Sequence, residues 1–230
     1  MRQCDVLTGV SRTQCEYYRR RYGVPMAYIP AGADAKEKVR PHEIRRLGLG
    51  SDPYVLYVGR LSPEKGVHTL VSAFGRMGGR RRLVLAGPVC DRRYGQRLKD
   101  LAGGDDRILF AGAVKGRMLG ELFSNAAVYV QPSQLEGLSM ALLEAMSYGC
   151  CCLVSDIPEN LEAIGHAGRS FACDDAEGLR ERLACLLDDP DEAHALGTKA
   201  RRRVIECYDW EKITSQFEDL YRGLPTSRAA

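Results

Sequence analysis

The sequence predicts an α/β fold, a doubly wound parallel sheet of the Rossmann-like kind, on two observations. Short apolar runs of strand length alternate with amphipathic stretches from one end of the 230 residues to the other. Each run is followed by a helical segment, so right-handed crossovers would place helices on both faces of a buried sheet. The strands expected in order are Asp5–Val10, Tyr54–Val58, Arg82–Ala86, Ile108–Ala111, Ala127–Gln131 and Cys151–Ser155. In such sheets ligands bind beyond the carboxyl ends of the strands, where the strand order reverses. The loops after Val58, Ala86, Gln131 and Ser155 are therefore the ones to search.

Composition narrows the classes. Hydrophobic residues make up 45% and charged residues 27%, near the values of ordinary globular domains, and no apolar run has the length of a membrane span. Asp5 interrupts the one apolar stretch near Met1, so no secretory h-region is expected, and the reading is a cytoplasmic protein. A net charge of +3 is compatible with peripheral contact at an anionic inner membrane face without requiring it. Nine cysteines, with no C-x-x-C pair among them, argue against a zinc site and fit reduced thiols that pack as small apolar residues. No metal is expected. The four histidines, His42, His68, His166 and His194, read as surface or capping residues.

The most informative stretch is Glu136 to Glu144, E-G-L-S-M-A-L-L-E, which sets two carboxylates with seven residues between them across a helix start. Gly137 lets the backbone approach a ligand, Ser139 is a natural N-cap, and Met140, Leu143 and Met146 supply one buried stripe. Unpaired amides from Leu138 to Ala141 would face an anion, with Glu136 beside it and Glu144 two turns on.

After Tyr54–Val58 comes G-R-L-S-P-E-K-G, Gly59 to Gly66, which sets Arg60 and Lys65 on a loop opening the helix that starts at Val67. Arginine binds phosphate oxygens bidentately and lysine adds a compact charge, a pair suited to a diphosphate. The loop reads equally as a solvated turn with a Glu64–Lys65 charge neighbour. Gly87, before Pro88, is a candidate wall of the same pocket or a plain turn. Ser155 to Asn160 opens another helix, with Pro158 near its first position. A ligand could sit there, but an ordinary capping box is the favoured reading.

Together, G-R-L-S-P-E-K-G, the run P-S-Q-L-E-G-L-S-M-A-L-L-E-A-M-S-Y-G from Pro132 to Gly149, and S-D-I-P-E-N-L-E-A-I-G after it resemble the donor site of the retaining GT-B glycosyltransferases of the family 4 group. The similarity runs from about residue 5 to about residue 220. It implies that Arg60 and Lys65 grip the diphosphate of a nucleotide sugar, that Glu136 touches the transferred sugar, and that Glu144 accepts from ribose hydroxyls. Gly59, Gly87, Gly137, Leu138, Ser139 and Met140 would line the donor site, and Glu136, Arg60 and Lys65 would carry the catalytic work with configuration retained. Fixed cations would replace a metal, and no cofactor is implied beyond the donor itself.

The resemblance covers the C-terminal, donor-binding half. Residues 1–33 look like the end of an N-terminal acceptor domain and its linker, with a helix Ser11–Tyr22, a short strand Ala27–Ile29 and P-A-G-A-D at Pro30 to Asp34. Residues 34–207 look like the donor domain, and 208–230 like the helix that crosses back. Trp210, Ile213, Phe217 and Leu220 form a helical stripe that either meets a missing partner half or packs on this chain's own sheet. The expected partners are a nucleotide sugar and an acceptor domain or subunit.

Other classes fit less well. A glycoside-hydrolase carboxylate pair would not follow a phosphate-type helix start. No G-x-G-x-x-G or P-loop is present. The arginine clusters Arg19–Arg21, Arg80–Arg82 and Arg201–Arg203 lack the aromatic interleaving of nucleic-acid binders and read as solvated helix faces. The rival function is a noncatalytic nucleotide-sugar-binding module or the subunit of a split transferase.

Overall fold

A computed structural model describes residues 4–50 and 52–224. Its centre is a six-stranded parallel sheet, built from β3 (Tyr54–Val58), β4 (Arg82–Ala86), β5 (Ile108–Gly112), β6 (Val128–Gln131), β7 (Cys152–Ser155) and β8 (Arg169–Phe171) in the order β5-β4-β3-β6-β7-β8. This is the doubly wound order. The chain works outward in one direction from β3, then returns to its other side, so the reversal falls between β3 and β6.

Strand residues alternate between the two faces. Tyr54 and Leu56 join one core with α4 (Gly116–Asn125), α5 (Met140–Ser147), α6 (Pro158–Ile164) and α8 (Pro190–Cys207). Val55 and Tyr57 join the other with α2 (Val67–Gly75), α3 (Arg92–Ala102) and α7 (Ala176–Asp188). The three-cysteine run leads into β7, which Cys152 opens. Cys150, Cys151 and Cys152 are buried free thiols, and burial pushes Cys150 and Cys151 up to about 12 and Cys152 up as well.

A separate two-residue parallel pairing, β1 (Thr8–Gly9) with β2 (Ala27–Tyr28), flanks α1 (Arg12–Tyr22). The strand expected over Asp5–Val10 is thus shorter, and its neighbours have few backbone partners. Ser11 caps α1 by accepting from Gln14, and the Glu162 carboxylate of α6 accepts from the Arg12 amide at 2.9 and 3.1 Å, fastening this helix start to the main body.

The segment between β2 and β3 has no strand, yet it is moored by side chains. Glu121 of α4, wholly buried, accepts from the amides of His42, Glu43 and Ile44 at 2.7, 2.6 and 3.2 Å and from Arg117 at 2.9 Å. Burial alone would push this carboxyl up. The His42, Ile44 and Glu43 amides and the Arg117 guanidinium outweigh it and hold the pKa at about 2.

The final helix, α9 (Trp210–Arg222), buries Ile213 completely, and Trp210 packs over Gly32 while remaining 44% exposed. Phe217 and Leu220 are half-buried. The stripe thus packs in part on its own chain.

The arginine clusters are largely consumed within the fold. Arg19 and Arg20 pair with Glu16, Arg81 with Asp188, Arg201 with Glu37 and Arg202 with Glu206. Arg82 donates to the carbonyls of Leu47 and Gly48, and Arg203 to those of Ala163 and Glu162. No helix among the described residues is long and apolar enough to cross a membrane.

Candidate functional site

The loops at the reversal point carry the residues singled out by sequence. After β3, Gly59 and Arg60 lead into a 3-10 turn, Pro63–Lys65, and Gly66 then enters α2 with a positive φ of 63°. Gly66 has a second constraint, because a methyl group on it would overlap the Pro132 carbonyl of the loop after β6. The two loops are stitched further by the Gln134 amide, which donates to the Glu64 carbonyl at 2.9 Å.

That close approach brings Lys65 and Glu136 together. The Lys65 ammonium lies 2.8 Å from both carboxylate oxygens, and the two side chains are 16% and 6% exposed. Glu136 Oε1 also accepts from Gln131 Nε2 at 2.8 Å and from Ser133 Oγ at 2.7 Å. Gln131 in turn donates to Ser133 at 2.7 Å and accepts from the buried Tyr129 hydroxyl at 2.5 Å. Gln131, Ser133 and Tyr129 were absent from the sequence-level candidates. The available signal was Gln131 itself, a polar residue ending the apolar run Val128-Tyr129-Val130.

Arg60 stands apart. Its guanidinium is 61% exposed and reaches Glu64 at 3.6 Å, while its carbonyl accepts from the Tyr57 hydroxyl at 2.8 Å. It shares the loop of Lys65 but pairs elsewhere, a long exposed side chain on the rim.

Gly87 proves to be a packing requirement. Its φ is 151°, and a methyl group there would overlap the Gly59 carbonyl oxygen; the Gly59 amide meanwhile donates to Ala86 at 2.9 Å and the Leu61 amide to Pro88 at 2.8 Å. The loops after β3 and β4 are thus laced side by side at backbone distance.

Gly137, Leu138 and Ser139 form the approach to α5. Ser139 caps the helix as expected, accepting from the Leu142 amide at 3.3 Å. Met140 departs from the expected stripe. It is 49% exposed, while Leu142, Leu143 and Met146 are buried, because the helix turns its first residue toward the site and not into the core.

Glu144 lies one turn beyond Met140. Both line a cavity of about 150 Å³ with Asp34, Lys36, Ser147 and Trp210. Glu144 is half-buried, and burial pushes its pKa up against the pull of the Lys36 ammonium. Larger depressions lie elsewhere, including one of about 480 Å³ between Lys36–Lys38 and α8, whose lining holds neither Lys65 nor Glu136.

The Ser155 to Asn160 start also differs from the capping box expected there. α6 begins at Pro158 with no side-chain cap, Asp156 accepts instead from the Cys173 amide at 2.8 Å, and Asn160 donates to Ser155 Oγ at 2.9 Å. Of the histidines, His42, His166 and His194 are exposed. His68 is half-buried with Nδ1 3.0 Å from the Tyr94 hydroxyl, and burial pushes its pKa down. Among the described residues no group of His, Cys, Asp or Glu side chains is arranged to hold a metal ion.

The arrangement offers a lysine and a carboxylate at the sheet's reversal point, a helix start beside them and a second carboxylate two turns on. Such a surface can receive an anion at Lys65 and hydroxyl groups at the two glutamates.

Comparison with known proteins bears on the family and the fold. The family described as "Glycosyl transferases group 1" matches residues 39–203. The sulfoquinovosyl transferase of Arabidopsis thaliana is 31% identical over 192 residues, 79% of this chain and 36% of that protein. The α-maltose-1-phosphate synthase of Mycobacterium tuberculosis is 33% identical over 199 residues, 76% of this chain and 49% of that protein. Among solved structures, a sucrose-phosphate synthase from Thermosynechococcus elongatus superposes with a TM-score of 0.79 at 30% identity, over 94% of this chain and 57% of that one. Alr3699/HepE of Anabaena, solved with UDP and glucose, superposes with a TM-score of 0.90 at 18% identity, over 97% of this chain and 64% of that one, and so shares the fold. The chain spans roughly half the length of the relatives it matches. With a family match over most of its length and the doubly wound sheet in common, this chain belongs to the group 1 glycosyl transferases.

Proposed function

We propose that this chain is the donor-binding half of a retaining, family 4 type GT-B glycosyltransferase, moving a sugar from a nucleotide-diphosphate sugar to an acceptor held by another domain or subunit. The observation that carries the reading is the meeting of Lys65 and Glu136 across the β3 and β6 loops, at the point where a doubly wound sheet receives its ligand. Lys65 takes the diphosphate. Arg60, free on the rim, swings from Glu64 to a phosphate oxygen, and the amides of Gly137 to Met140 at the start of α5 complete the cradle.

Glu144 takes the ribose hydroxyls, and Glu136 faces the transferred sugar. As the glycosyl bond breaks, negative charge grows on the departing diphosphate, and fixed cations oppose it without an obligatory metal. The likeness to proteins solved with UDP, and with UDP and glucose, supports the ligand class. The small, open cavity at Glu144 supports a site with a second wall outside the described residues, since drug-sized ligands need roughly 300 Å³ or more. The proposed setting is the cytoplasm or the inner membrane face.

Calorimetric titration with UDP, GDP and ADP and with their sugars tests the reading. Binding of one base series is expected, and no binding of any would overturn the site. Sugar transfer on supplying an acceptor half would separate an enzyme from a noncatalytic nucleotide-sugar-binding module.

A further inference from the structure

Glu136 is held asymmetrically. Its Oε1 accepts from three donors, Lys65, Gln131 and Ser133, while Oε2 accepts from Lys65 alone. A carboxylate offers about four acceptor positions in all. Oε1 is filled, and the spare capacity lies on Oε2.

Gln131 produces the asymmetry. It is 2% exposed at the end of β6, and every polar atom of its amide is engaged. A carboxylate cannot donate, so the amide nitrogen must face Glu136; the amide oxygen then faces Tyr129, whose hydroxyl donates to it. Tyr129 is wholly buried in the sheet, and the Ser133 hydroxyl accepts the second amide hydrogen and donates its own to Glu136. The chain of bonds runs from the core to one oxygen of one carboxylate. A buried amide costs free energy unless its bonds are made, and an apolar side chain would pack the end of β6 without that cost.

We propose that Gln131 is a positioning residue that locks Glu136 through Oε1, leaving Oε2 as the single acceptor for a hydroxyl of the donor sugar. This rests on the donor-site reading above and adds to it which atom recognises the sugar and what fixes it. Loss of Gln131 lets the carboxylate rotate, so recognition of the sugar suffers while the diphosphate, held by other groups, does not.

The test compares affinity for a nucleoside diphosphate with affinity for its sugar conjugate, UDP with UDP-glucose and GDP with GDP-mannose, in the native chain and in Gln131→Met. The expected result is a fall of about tenfold in the ratio of conjugate to bare nucleotide affinity, the size of one lost bond to a charged group, with bare nucleotide binding near native and a lowered unfolding midpoint, because the buried Tyr129 hydroxyl loses its amide acceptor. Tyr129→Phe, which frees the amide without touching Glu136, is expected to shift the ratio the same way by less. Ser133→Ala gives a second reading of the lock should Gln131→Met fail to fold. An unchanged ratio in the variants that fold, or proportional loss of both ligands, overturns the inference while leaving the donor site standing. A native chain that binds none of the four ligands overturns both.

Discussion

The Lys65 ammonium bridges both oxygens of Glu136 at 2.8 Å from a position 71 residues earlier in the chain. The pair closes the gap between the loops after β3 and β6, and it is mostly shielded from water.

Removing one partner of such a pair leaves an uncompensated buried charge. Lys65→Met is expected to destabilise the chain by about 3 kcal/mol, and Lys65→Met with Glu136→Gln by clearly less. Denaturant unfolding of the single and double variants measures the difference; simple additivity would show that the pair is not coupled.

Gly87→Ala is expected to part the loops after β3 and β4, since the added methyl group would overlap the Gly59 carbonyl. The cost is about 2 kcal/mol or more for an incompatible backbone site, with weakened nucleotide binding. Gly103→Ala, also at positive φ but with open space around it, is the control for backbone strain alone. Equal losses at the two sites would contradict the lacing.

Burial raises the pKa of Glu144 above its ordinary 4.5. A raised folded-state value means that the protonated form is favoured in the fold; its contribution is full below about pH 4.5 and is lost as pH rises through the folded value. Glu144→Gln is therefore expected to raise the melting temperature at pH 7, to lose that advantage near pH 4, and to weaken nucleotide binding. Thermal unfolding across pH decides it, and a variant less stable than native at pH 7 would count against the buried, strained carboxylate.

Glu121 has the opposite sign. Held at about 2 against an ordinary 4.5, it contributes stability that is present above pH 4.5 and is lost as pH falls toward 2. Glu121→Gln is expected to lower the melting temperature at pH 7 and to flatten that part of the acid loss. Proteolysis between residues 39 and 47 should quicken in the variant, because glutamine keeps one acceptor oxygen where the carboxylate has two, so the three amides and Arg117 can no longer all be served.

Five strands, β3 to β7, were legible within a residue or so at their ends because each is a buried apolar run. β8 was not: Arg169-Ser170-Phe171 is short and polar, and it becomes a strand only because β7 offers an edge. The N-terminal strand was read too long, since its ladder with Ala27 and Tyr28 covers Thr8 and Gly9, with one further bond from the Ala27 amide to the Leu7 carbonyl. At the candidate site, Lys65, Glu136 and Glu144 were legible as charged residues close to a helix start, and the structure brings Lys65 and Glu136 into contact. Gln131 and Ser133 were not, because their roles depend on how the loop after β6 folds back on its own strand. Met140 was misassigned because periodicity cannot say which way the first turn of a helix faces.

The buried thiols at the start of β7 give the fold an internal reporter. Burial pushes Cys150 and Cys151 up to about 12 and Cys152 up as well, which disfavours the thiolate that alkylating reagents attack. Cys90, Cys185 and Cys207 lie at the surface and would be alkylated first. The slowest wave of labelling, after the half-buried Cys15 and Cys173, would then time the opening of the strand next to β6, whose end anchors Glu136.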